Sequence, residues 1–140
     1  MTSGRWLLLP LLALVACGGS DSTPTTPTRD WIELNSLTPA SGTAVTAGER
    51  LTINATVTCT IVSKDGGMVA LLVRDQGGRT LPGTGTQPQQ MTLPAGTTTV
   101  ALTDTITTPP SGGTVAVYIP MWVNGSNLTA AFVTANYTVK

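Results

Sequence analysis

The stretch from Leu51 to Ile61 limits the possible folds more than any other part of the chain. Leu51, Ile53, Ala55, Val57, Cys59 and Ile61 alternate with Thr52, Asn54, Thr56, Thr58 and Thr60. A helix would scatter those apolar side chains around its circumference, whereas a strand puts them all on one face. One face then packs on a core and the other meets solvent or a second layer. Cys59 falls on the apolar face, which predicts a small core side chain and not a reactive thiol, because apolar surroundings disfavour the thiolate.

Period-two patterning recurs along the chain. Trp31 to Leu37 reads as a first strand, followed by a turn over Thr38 to Thr43. Lys64-Asp65-Gly66-Gly67 reads as a turn, and Met68 to Arg74 as a more continuously apolar, central strand. Thr80 to Gln90 is polar, with several Gly and Pro, and is expected to be a loop or a weak edge strand. Gln89 to Leu93 is expected to form a short strand ending at Pro94-Ala95-Gly96. From Thr97 to Thr107, Val100, Leu102 and Ile106 share one parity, and Asp104 interrupts that face, which predicts a bulge or an early exit. Val115, Val117, Ile119, Met121 and Val123 line one face of the next strand, which Pro120 should bend or confine partly to an edge. Asn124-Gly125 suits a type I′ hairpin turn before a last strand from about Ala130 to Val139.

About seven short strands, with turn signals roughly every 8–12 residues and no helical segment, predict an all-β fold: an antiparallel β-sandwich. The same residues resemble an immunoglobulin-like domain of bacterial surface proteins, most clearly from Leu37-Thr38-Pro39-Ala40-Ser41-Gly42-Thr43 into Val45 to Val57. The paired core cysteines of antibody domains are missing, so the strand order stays open, and an up-and-down barrel or a jelly roll is also compatible with the pattern.

Ahead of this domain, Arg5 precedes an apolar run from Trp6 to Ala16 that ends in small residues. That is the layout of an export signal with an apolar segment of about 7–15 residues, well short of the roughly 20 needed to span a bilayer. Leu14-Val15-Ala16-Cys17 resembles the lipobox of bacterial lipoproteins. The resemblance implies that residues 1–16 are removed and that Cys17 carries lipid, with the outer membrane as the destination in a Gram-negative host, since Gly18 and not Asp follows the cysteine. Two or three acyl chains hold durably, each buried methylene contributing about 0.8 kcal/mol. Residues 17–30 are then the lipidated cysteine and a Thr/Pro-rich linker, and residues 31–140 the immunoglobulin-like domain. Localisation follows as the cell envelope, with the membrane as a partner through the amino-terminal lipid.

Composition narrows the function. Formal net charge is +0 and only 10% of residues are charged, with no basic run, which argues against nucleic acid as a partner. There is no histidine, so the usual serine and cysteine triads are unavailable. Asp65 and Asp75 lie in Gly-rich turns where a Ca²⁺ ligand is conceivable, but backbone capping is the ordinary role for such residues. No cofactor, metal site or catalytic set is expected. One binding signal stands out: Tyr118 and Trp122 share the strand face opposite the Val/Ile/Met set, where two rings suit stacking on sugars or anchoring a protein partner. The expected function is a non-enzymatic, lipid-anchored envelope module that binds or supports. The alternatives are an accessory subunit of an envelope complex or a carboxylate-dependent hydrolase.

Overall fold

The computed structural model describes residues 26–83 and 90–140. Its seven strands are β1 (Trp31–Thr38), β2 (Ala44–Val45), β3 (Arg50–Ala70), β4 (Leu72–Arg74), β5 (Gln90–Thr107), β6 (Gly113–Val123) and β7 (Thr129–Val139). Among the described residues no helix is long and apolar enough to cross a membrane.

β3 and β5 form one long antiparallel ribbon. Residues 50–61 of β3 lie against residues 96–107 of β5, and residues 66–70 against residues 90–94. The pairing slips between Ile61 and Gly66, and there the ribbon passes from one layer to the other. β1 adds to the first half of β3, making a β1–β3–β5 layer. The second half of β3 and β4 pair with β6, which pairs with β7. β2 then joins β7 in parallel, so the turn between β1 and β2 carries the chain from the first layer to the second. This is the immunoglobulin-like division of strands between two packed faces. The inner sides of both layers contribute to one core that includes Ile53, Val57, Leu71, Leu102, Ile119 and Tyr137. Tyr137 donates its hydroxyl to the Pro39 carbonyl at 2.7 Å, pinning β7 to the turn where β1 ends.

Every apolar member from Leu51 to Ile61 is buried, and of the polar members between them only Thr60 is buried as well. Cys59 is 1% exposed, and burial pushes its thiol up to about 11. The polar members form ladders on the outer side of the first layer. Thr52 faces Thr105, Thr58 faces Thr99 and Thr60 faces Thr97, each hydroxyl pair at 2.9 Å, while Thr103 donates to the Asn54 carboxamide. Cross-strand pairs of this kind contribute about 0.2–1 kcal/mol each, which gives the abundant threonine a structural use.

Several local expectations are corrected. Lys64 to Gly67 does not end a strand: it lies within β3, at the slip between layers. Pro94-Ala95-Gly96 likewise bends β5 without breaking it. The core-facing side shifts there from odd positions (Leu93) to even ones (Val100, Leu102, Ile106), across Gly96 with its φ of 92°. Asp104 produces no bulge, because β5 stays in register with Ile53 opposite Asp104, and the acid turns inward. Pro120, by contrast, lies partly at an edge as expected: it sits between the stretch of β6 paired with β4 and the stretch paired with β3, where no partner on that side needs its missing amide. Asn124-Gly125 is not a type I′ turn, which needs positive φ at both residues. Only Gly125 has it (77°), and the Ser126 amide donates to the Val123 carbonyl, as in a type II turn. Asn124 is held otherwise because its amide donates to the Gly66 carbonyl and its side chain to Asp65.

Candidate functional site

The outer side of β6 carries the residues with most to offer a partner. Successive residues of a strand point to opposite faces, so Val115, Val117, Ile119 and Met121 go to the core while Tyr118 and Trp122 face out, both half-buried. Tyr118 lies opposite Leu72 of β4 and Thr134 of β7. Its ring meets Phe132 at 5.4 Å between centroids with a 48° tilt, and the Arg74 guanidinium sits 4.3 Å from its centroid. The cation is attracted to the electron-rich ring face and the two rings pack on each other, so the stack mixes apolar surface with a positive charge. Phe132 is 57% exposed, so the stack opens sideways to solvent.

Trp122 occupies different surroundings. It is opposite Met68 of β3 and Thr129 of β7, at the end of β6, and lines a cleft with Gly67, Met68, Asn124 and Asn127. Four residues along a strand separate the two aromatics by about 13 Å, and Tyr118 pairs with Phe132, not with Trp122. The two residues singled out by the sequence therefore share a face without forming one subsite. Phe132 and Arg74 were not identified from the sequence. Finding Phe132 requires the β6–β7 register, in which it lies opposite Pro120, and Arg74 requires the pairing of β4 with β6.

The chain enters the domain at the same end as Trp122. There Asp30 accepts the backbone amides of Val62 (2.8 Å) and Ser63 (3.0 Å) and the Ser63 hydroxyl. Burial works against ionisation of Asp30, but these hydrogen bonds, the Ser63 hydroxyl foremost, outweigh it and hold the carboxyl below its ordinary range. Asp30 thus clips the start of β1 to the crossing segment of β3.

Three further acids, Asp65, Asp75 and Asp104, stand apart. Asp65 receives the Asn124 side chain at one end of the domain, while Asp75 caps the Arg79 amide at the other. They are placed too far apart to share a Ca²⁺ ion. Asp104 faces the core beside Gly83 and accepts the Thr105 amide at 2.8 Å. Burial raises its carboxyl above the usual range, and the Thr105 amide only partly offsets this. Among the described residues no three of His, Cys, Asp or Glu gather as a metal-binding group. Cys17 lies outside the described residues.

No protein-family model matches the chain, and no curated protein does. Among solved structures, the ASH/PapD-like domain of human CEP192 (PapD-like domain 7) is similar at a TM-score of 0.42 and 12% identity, over 100% of this chain and 96% of that one. A family 123 glycoside hydrolase from Clostridium perfringens is similar at a TM-score of 0.33 and 11% identity, over 70% of this chain and 22% of the hydrolase.

Proposed function

We propose that this protein is a non-enzymatic, lipid-anchored module of a bacterial cell envelope, which holds an immunoglobulin-like domain on a short leash and contacts its partner through the outer side of β6. The anchoring half of the reading rests on the sequence Leu14-Val15-Ala16-Cys17 and the Thr/Pro-rich segment behind it. The contact half rests on one observation, the outward stack of Arg74, Tyr118 and Phe132. Ordering of contact side chains costs affinity on binding, and the packing of these three side chains on one another lowers that cost. A protein or glycan of the envelope suits it, since rings stack on both. The separation of Asp65, Asp75 and Asp104 supports a binding role over the hydrolase alternative.

Three measurements test the proposal. Mass spectrometry of the mature amino terminus should find a diacylglycerol-modified Cys17, and a Cys17→Ser variant should leave the membrane fraction. A photoreactive residue at position 132 should give one discrete adduct in intact cells, lost in Tyr118→Ala. A single stoichiometric protein adduct would make the chain an accessory subunit, whereas no adduct would overturn the assignment of this face.

A further inference from the structure

The apolar residues that the fold leaves in solvent are unevenly distributed. The exposed large hydrophobics among the described residues are Val62, Met91, Leu128 and Phe132. Val62 is in the crossing segment that Asp30 clips, and Leu128 is in the β6–β7 turn beside Trp122. Both therefore stand at the end where the chain enters the domain. Phe132 and Met91 lie a few residues in from that end, along β7 and β5. The opposite end, with the turns around residues 39–49, 75–80 and 108–112, exposes no large hydrophobic among its described residues.

The tryptophans follow the same distribution. The chain has three, Trp6, Trp31 and Trp122, and removal of residues 1–16 would leave two. Trp31 opens β1 and Trp122 is the penultimate residue of β6, so both half-buried indoles mark the entry end. The charges at the tip are Arg29, Asp30, Lys64 and Asp65, which sum to zero, with Glu33 exposed two residues further along β1, and both tip carboxylates are already engaged by Ser63 and by Asn124. A surface of indoles and aliphatics with balanced charge suits the interface of a bilayer, where amphipathic rings settle at headgroup depth.

From this arrangement we infer that the entry end of the domain rests on the lipid surface, with Trp31, Val62, Trp122 and Leu128 in the interface. The inference rests on the anchored reading above and deepens it. The position of the leash identifies lipid as the occupant. Cys17 and Trp31 are separated by only about a dozen residues, a reach of roughly 40 Å at full stretch, and the leash joins the domain at this end. Tethering keeps the patch at high effective concentration over the bilayer, so contacts too weak to recruit a free domain suffice to orient a tethered one. Balanced charge makes the contact insensitive to salt and to anionic lipid. Docking in this way leaves the Arg74–Tyr118–Phe132 stack facing along the membrane plane and gives Trp122 to the lipid instead of to a partner.

The test uses the lipidated mature chain, in which the two tryptophans are built-in probes. It is reconstituted into phosphatidylcholine vesicles with either ordinary or brominated acyl chains, and flotation is scored alongside fluorescence. Tryptophan emission is expected to be quenched by the brominated lipid, and equally so in low and high salt. A Val62→Ser, Leu128→Ser variant is expected to float as well as the parent and lose most of that quenching. Both positions are open to solvent, at 43% and 77%, so the core is untouched. Flotation with no difference between the two lipids would overturn the docking and leave the anchor standing. Failure to float would overturn the anchor, and the docking with it. Shielding of the indoles that needs no lipid and grows with protein concentration would assign the patch to a second copy and overturn the inference.

Discussion

Asp104 shows how a single residue can be placed against its own chemistry. It lies on the inner side of β5 because the strand keeps its register, and among the described residues the Thr105 amide donates to its carboxylate. Its carboxyl is raised in the fold, so the folded chain binds a proton more readily than the unfolded chain just above the ordinary carboxylate range. Stability therefore falls as pH rises from the unfolded value through the folded one, and the penalty remains at neutral pH. Asp104→Asn, which keeps an acceptor for Thr105, is expected to raise the melting temperature by a few degrees at pH 7. The gap should close toward pH 4, which a thermal denaturation series will measure; no gain at neutral pH would show that water already solvates the carboxylate.

At the scale of elements, the long ribbon of β3 and β5 depends on two features at its crossing. Gly67 lies between Leu93 of β5 and Val123 of β6, and an added Cβ would overlap the backbone carbonyl of Trp122. Because that neighbour is backbone, it cannot swing away. Gly67→Ala is expected to destabilise by about 2–4 kcal/mol, in the range for overpacking and backbone strain, measured by urea denaturation. The second feature is Asp30, whose carboxyl is held low by the Ser63 and Val62 hydrogen bonds. Its contribution is fully present above the unfolded carboxylate value and is lost as pH falls through the lower folded one. Asp30→Ala is expected to speed hydrogen exchange at the Val62 and Ser63 amides at pH 7, with little difference from the parent near pH 2.

The whole molecule has one core filled from both layers, with Cys59 in the first layer among residues that touch the second. A thiol that is 1% exposed and shifted up to about 11 reacts only when the core opens. Labelling of Cys59 by a disulfide reagent is therefore expected to track the loss of β-sheet circular dichroism through a urea titration, as for a cooperative unit. Labelling well before the transition would show that the first layer opens alone.

Much of this architecture was legible in the sequence, and the rest was not, for a physical reason. Alternation fixed which side chains of Leu51 to Ile61 and Val115 to Val123 turn inward, because parity is a property of the strand itself. It also put Tyr118 and Trp122 on the side away from the core. Local patterning failed where a Gly- or Pro-containing segment reads as a stop but serves as a bend, as at Lys64 to Gly67 and Pro94 to Gly96. There the outcome depends on the neighbouring strand, not on the segment. The same holds for the clip from Asp30 to Ser63, the stack of Arg74, Tyr118 and Phe132, and the gathering of Val62, Leu128, Trp31 and Trp122 at one end. These depend on long-range strand register, set by pairing and by the fit of one shared core, and register brings together residues that no local pattern connects.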